Sequence, residues 1–167
     1  MVLKTTLREF KEEDWQSLQL HANNPSIAKF MTNQFPYPYT DRHAKEFIFR
    51  ISKLIPAQVF AIDYNGEAIG AIGIHPQTDI MERNAELGYW LSEKYWGKGI
   101  ITNHIKEMVE YGFSQFPVNR IYARPFGSNL ASQRVLEKAG FKLEARLDKV
   151  IFKNGVAEDE LIYAVRK

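Results

Sequence analysis

The chain has 167 residues, 45% hydrophobic and 25% charged, the balance of a soluble globular protein with a real core rather than a disordered or fibrous one. Its formal charge of +2 is not gathered into any Lys/Arg run, which sets nucleic acid aside as a partner. With no cysteine there is no disulfide framework, thiolate nucleophile or Cys-ligated metal. The lack of a signal-like or membrane-length apolar run makes the cytoplasm, with no membrane partner, the expected setting.

Taken in order, "TTLREF" alternates and predicts a first strand. Asp14 is placed to cap a short helix from Trp15 to about His21, which "NNP" at 23–25 ends. A proline- and aromatic-rich loop, "NQFPYPYT" (33–40), precedes a helix capped by Asp41. Its Ala44, Phe47, Ile48 and Ile51 share a face, and it stops before Pro56. "QVFAIDYNGEAIGAIGIH" reads as two strands around Asn65-Gly66, a dipeptide suited to the positive φ angles of a tight hairpin. A strand follows at 85–91. After it comes a turn with two glycines, Gly97 and Gly99, then a helix whose Ile101, Ile105, Met108 and Gly112 form an apolar stripe as far as Pro117. "RIYARPF" (120–126) predicts a strand, and "SNLASQRVLEKAG" a helix that starts at Ser128 or Asn129 and stops at Gly140. The tail predicts two strands around Asn154-Gly155. No repeat or linker interrupts the chain, so one domain, 1–167, is expected, of α+β (mixed α/β) class with a mostly antiparallel sheet.

The glycine turn carries the chemistry. Backbone N–H groups at a helix start are unpaired and lie along a favourable dipole, so they bind anions. Glycines on both sides of Lys98 let the turn bare successive N–H groups without a Cβ in the way, and a phosphate or pyrophosphate is the natural guest. The Rossmann pattern would place a third glycine where Thr102 stands, and the P-loop would end in Gly-Lys-Ser/Thr. Neither fits. Gly88 interrupts an otherwise apolar strand, which suggests a bulge or the close approach of a ligand to the backbone.

"AELGYWLSEKYWGKGIITNHI", followed by a strand and by "SNLASQRVLEKAGF", resembles the GNAT superfamily of acetyl-CoA-dependent N-acetyltransferases, and most of all its ribosomal-protein N-terminal (RimJ/RimL-type) branch. The order of elements matches over nearly the whole chain. The resemblance implies a sheet of six or seven strands, splayed centrally and flanked by helices. It implies that Trp96, Gly97, Lys98, Gly99 and Ile100 cradle the CoA pyrophosphate, and that Gly88, Tyr89, Trp90 and Leu91 line the pantetheine arm with their backbone. It places Asn129 on that arm and Ser132 near the sulfur. Two departures stand out: Lys94 where the family often has Gln or Arg, and Leu136 where many members carry a tyrosine that protonates the leaving thiolate.

Acetyl transfer from a thioester to an amine requires a neutral amine, a stabilised carbonyl oxygen and a departing thiolate. Without a cysteine, direct attack in a ternary complex is the expected route. Glu86 is the candidate base and Ser132 the candidate donor to the sulfur, each also readable as an ordinary surface residue. A peptide α-amine, of pKa about 7.7–8.0, is substantially neutral near pH 7.5, whereas lysine at about 10.4 is not. A site with no evident strong acid–base pair therefore suits an α-amine better. Phe35, Tyr37 and Tyr39 are candidates for the acceptor pocket, with core packing as their other reading. His21, His43, His75 and His104 show no metal-ligand spacing, so no metal is expected. Expected partners are acetyl-CoA and an amine acceptor, with a homodimer through an exposed strand left open. Two alternatives stay open: a small-amine acceptor (polyamine, amino sugar or aminoglycoside), for which Asp148, Glu158, Asp159 and Glu160 would form an acidic mouth, and a non-catalytic acyl-CoA sensor.

Overall fold

In a computed structural model, which describes residues 3–167, both Asn-Gly pairs make the expected tight turns. Asn65 (φ +54°) and Gly66 (φ +86°) join one pair of strands, Asn154 (φ +51°) and Gly155 (φ +78°) the other. Positive φ at two successive residues matches the right-handed twist of the flanking strands, and Asn and Gly accept it at least cost. The first two residues of the expected domain lie outside the described part.

The strands are β1 (Thr6–Arg8), β2 (Val59–Tyr64), β3 (Glu67–Pro76), β4 (Asn84–Leu91), β5 (Arg120–Ala123), β6 (Lys142–Lys153) and β7 (Val156–Arg166). They form one mixed seven-stranded sheet in the order β1-β2-β3-β4-β5-β7-β6. Pairing is antiparallel for β1/β2, β2/β3, β5/β7 and β6/β7, and parallel for β4/β5. The helices are α1 (Trp15–Ala22), α2 (Pro25–Ala28), α3 (Asp41–Ile51), α4 (Ile100–Gln115) and α5 (Leu130–Lys138). The α+β expectation, with six or seven strands, holds.

Two local expectations are corrected and a third is borne out with an addition. Asp14 makes no side-chain cap on α1. Its carboxylate instead takes both Arg8 Nη atoms (2.7 and 2.9 Å) and the Lys11 N–H (2.7 Å), because a guanidinium offers it charge as well as hydrogen bonds. Thr40, not Asp41, caps α3, accepting from the His43 N–H. "NNP" ends α1 but also begins α2: Asn24 Oδ1 accepts from the Ser26 N–H at 2.7 Å and Pro25 takes the first helical position, where its missing N–H costs nothing.

The chain divides into two compact units, one running up to Gly73 and including Tyr89–Ile100, the other Ile74–Gly88 with Ile101–Lys167. The first has its own core, with Leu18, Ala22, Ile27, Tyr39, Ala44, Ile48, Val59, Ala71 and Trp90 buried together. Within it a Cβ on Gly70 would stand 2.5 Å from the Trp90 carbonyl oxygen, so β3 and β4 run this close only because that residue is glycine. In the second unit the stripe of α4 packs on the sheet, and a Cβ on Gly112 would meet Ile121 Cδ1 at 2.9 Å and Ile74 Cγ2 at 3.5 Å. Ile105, Met108, Ile121 and Leu136 are fully enclosed.

Candidate active site

In the first unit, β4 ends on two buried residues, Trp90 and Leu91, and passes through buried Ser92 into a single 3-10 turn, Glu93–Tyr95. The Trp96 N–H closes that turn on the Glu93 carbonyl (3.1 Å), and its indole Nε1 donates to the Leu91 carbonyl (2.7 Å). Both Trp96 N–H groups are thus engaged within the chain, ahead of the two glycines. Gly97 (φ +73°) and Gly99 (φ +74°) both take the left-handed conformation, and an added Cβ at either would meet nothing within 4 Å. Ile100 then opens α4, a 16-residue helix whose dipole leaves its start electropositive. The Lys98 ammonium sits 5.5 Å from the centre of the Tyr95 ring, and that of Lys94 4.9 Å from it.

The aromatic loop divides. Tyr39 is 4% exposed, and burial pushes its hydroxyl pKa up to about 12, the mark of a core residue. Phe35 packs on Tyr39 (ring centroids 5.2 Å apart) and on Trp90 (5.9 Å). Tyr37 is exposed. The fold thus brings Phe35 and Tyr39 together beside the end of β4, while Tyr37 faces solvent.

In the second unit the parallel ladder between β4 and β5 ends at Glu86↔Tyr122, whereas β4 continues to Leu91. Gly88 lies just past that end, and the nearest atom to an added Cβ there is His75 Nε2 at 3.9 Å. Glu86 is half-buried and accepts from Arg124 Nε at 3.1 Å, while Arg124 Nη1 lies 3.5 Å from Glu160 Oε1. Burial lowers the Arg124 pKa, but the charges of Glu86 and Glu160 and the hydrogen bond to Glu86 outweigh it and raise it. The Tyr122 hydroxyl, level with Glu86, is also pushed up, first by burial and then by the Glu86 carboxylate.

Asn129 is the N-cap of α5, its Oδ1 accepting the Ser132 N–H at 3.2 Å, and Gln133 Nε2 donates to the carbonyls of Phe126 (3.2 Å) and Gly127 (3.0 Å). These bonds fix the loop that carries Ser128, whose hydroxyl donates to Glu158. Leu136 is fully buried on this helix, so its position serves packing. Glu86, Asn129 and Ser132 belong to the second unit and the Gly97–Gly99 turn to the first.

Sequence reasoning missed Arg124 and Tyr122. The signal lay in the alternation of β5: Tyr122 and Arg124 are two apart and so share a face, opposite to buried Ile121 and Ala123. What the sequence lacked was the register that sets that face against Glu86.

The family model for the acetyltransferase (GNAT) domain matches residues 4–142, and the chain belongs to that family. Among curated relatives, YoaA of Bacillus subtilis (strain 168), an uncharacterised N-acetyltransferase, is 38% identical over 101 residues. YdaF of the same organism, a putative ribosomal N-acetyltransferase, is 33% identical over 104 residues. These matches cover 60% and 62% of this chain, and 56% of the length of each relative. The uncharacterised N-acetyltransferase p20 of Bacillus licheniformis is 31% identical over 86% of this chain and 82% of its own length. Spermidine N(1)-acetyltransferase of Escherichia coli (strain K12) is 26% identical over 89% of this chain and 78% of its own length. Among solved structures, a GNAT-family acetyltransferase from Bacillus anthracis superposes with a TM-score of 0.82 at 25% identity, covering 99% of this chain and 98% of its own.

Proposed function

We propose that the chain is an acetyl-CoA-dependent N-acetyltransferase whose acceptor is the α-amine of a protein or peptide N-terminus, with residues 1–167 acting as one catalytic domain. The observation that carries this reading is the Gly97–Gly99 turn, two left-handed glycines with open Cβ positions immediately before a long helix. The turn fits the CoA diphosphate: a Cβ at either glycine would enter the open space, and the helix dipole favours negative charge there. Membership of the GNAT family supports the same chemistry.

Acetyl-CoA brings the acetyl group as a thioester. The chain's residues hold the diphosphate at Gly97, Lys98, Gly99 and Ile100, and the backbone of Gly88–Leu91 lines the arm and polarises the carbonyl. In the transfer a nitrogen–carbon bond forms, the carbon–sulfur bond breaks, and the proton lost by the amine ends on the departing sulfur. Glu86 receives that proton directly or through water, its carboxylate held in place by Arg124. Ser132 donates to the sulfur. With Leu136 buried, no side chain at that position protonates the thiolate, and an acceptor that is already neutral near pH 7.5 makes the lightest demand on such a site.

The α-amine is favoured over a polycation by how the acidic side chains are engaged. Glu160 lies beside Arg124, Asp159 accepts from Arg146 Nε at 2.7 Å, and Glu158 accepts from Ser128. Three of the four residues that would form an acidic mouth are thus already partnered. The name of YdaF points to ribosomal-protein acceptors. The name of the spermidine acetyltransferase supports the small-amine reading instead. The deciding test is release of free CoA thiol, read with a thiol-reactive dye to which this cysteine-free protein adds no background. Release with free N-terminal peptides, but not with N-blocked lysine peptides, spermidine or aminoglycosides, is expected. Release with spermidine alone would move the assignment to the small amine, and CoA binding with no release from any acceptor would favour a sensor.

A further inference from the structure

A hydrogen-bonded set of three residues, Glu67, His21 and Ser92, ends on the residue that enters the 3-10 turn before Gly97, and no step of the transfer uses it. His21, in the last turn of α1, is buried, its side chain 4% exposed. Its Nε2 is 2.8 Å from Glu67 Oε1 and its Nδ1 2.9 Å from Ser92 Oγ. A carboxylate can only accept, so Nε2 carries a hydrogen, and in the neutral imidazole Nδ1 accepts from the Ser92 hydroxyl. The set resembles a hydrolytic triad in its residue types. Ser92 is nonetheless buried and its backbone N–H is bonded to the Ile69 carbonyl at 2.9 Å, so it has the environment of a support, not of a nucleophile.

Ser92 is where the support acts. It is the last residue before the 3-10 turn, and its carbonyl accepts the Tyr95 N–H at 3.0 Å. A second tie runs in parallel, from Asn24 Nδ2 to Glu93 Oε2 at 2.7 Å. The Tyr95 ring stands edge-on to both Tyr64 (centroids 5.7 Å apart) and His21 (6.2 Å). Two residues past Tyr95 come the left-handed glycines. Glycines impose little conformation of their own, so their position must be set from outside the turn. Every side chain in this frame belongs to the first unit.

We infer that Glu67–His21–Ser92 is a brace that pre-positions the diphosphate turn, making His21 a positioning residue for CoA binding. The inference rests on the acetyl-CoA reading above. A site held in its bound geometry before the ligand arrives avoids the ordering cost on binding, and small misplacements of such a support lower affinity out of proportion to their size.

The test is calorimetric titration of CoA into the wild type, His21→Leu, Ser92→Ala and, as a control, Ile48→Ala in the hydrophobic core of the same unit, with melting temperatures recorded throughout. Ser92→Ala removes one hydroxyl and keeps the question answerable should His21→Leu fold poorly. Both brace variants are expected to weaken CoA binding about five- to tenfold and to raise KM for acetyl-CoA alike, with kcat at saturating acetyl-CoA changed less than about twofold. Ile48→Ala is expected to lower the melting temperature and leave CoA affinity alone. Brace variants that bind CoA like the wild type, or an Ile48→Ala that loses as much affinity as they do, would overturn the brace while leaving the acetyl-CoA reading in place. A folded wild type that does not bind CoA would remove both.

Discussion

Replacing Gly99 by alanine separates what the turn does for the fold from what it does for the ligand. At φ +74° an L-residue with a Cβ is strained, and the cost is about 1–2 kcal/mol. No steric term adds to it, because nothing lies within 4 Å of the new methyl group. For a chain of this length each kcal/mol lowers Tm by about 2–4 °C. Gly140 supplies the control. It too has a positive φ, +93°, and open space at its Cβ position, but it ends α5 instead of opening α4. Gly99→Ala and Gly140→Ala should therefore lose similar stability by thermal melting. Only Gly99→Ala should weaken CoA binding, by about tenfold or more, since its methyl group enters the space assigned to the diphosphate. Gly99→Glu, which adds bulk and a negative charge, should abolish binding. If Gly99→Ala bound CoA as tightly as the wild type, or if Gly140→Ala lost as much affinity, the diphosphate assignment would be wrong.

Glu86→Gln keeps a hydrogen-bond partner for Arg124 but removes the base, and kcat/KM should fall by about 10²-fold at pH 7.5 with CoA affinity intact; a fall below threefold would relieve Glu86 of that role. Leu136→Tyr puts a hydroxyl and extra volume into a fully enclosed site and should destabilise by about 1–3 kcal/mol in denaturant melts without raising kcat. A faster enzyme would show that the position can serve the leaving group after all. Asp14 tests the first unit by pH. Burial pushes its carboxyl up, but the hydrogen bonds from Arg8 and the Lys11 N–H, with the Arg8 charge, outweigh this and hold it below the ordinary 3.8. A depressed carboxylate adds stability that is complete above its unfolded pKa and is lost as pH falls through the folded one. Asp14→Asn should therefore cost about 1–3 kcal/mol near pH 7, and the gap to the wild type should close as the pH falls below 3.8. A gap that stayed constant down to pH 2 would contradict the pairing.

Local chemistry made much of this protein readable before any fold was known. Asn65-Gly66 and Asn154-Gly155 could only be turns of positive φ, and the period of Ile101, Ile105 and Met108 could only seat α4 on an apolar surface. Gly97 and Gly99 were legible for the same reason: a left-handed turn at a helix start needs residues without a Cβ, and few others satisfy it. What remained hidden depended on partners distant in sequence. Asp14 stands where an N-cap belongs, yet Arg8 bound its carboxylate more strongly than the helix N–H groups could. Tyr39 was open to both a pocket and a core reading, since an aromatic side chain suits either equally well, and its burial came only with the packing. Glu86 acquired Arg124 through the parallel register of β4 and β5, and His21 acquired Ser92 and Glu67 from 71 and 46 residues away. Turn and helix signals depend on neighbours within about four residues and are written along the chain. The pairing of buried charges and imidazoles is chosen by which strands meet and in what register, and only the tertiary structure holds that information.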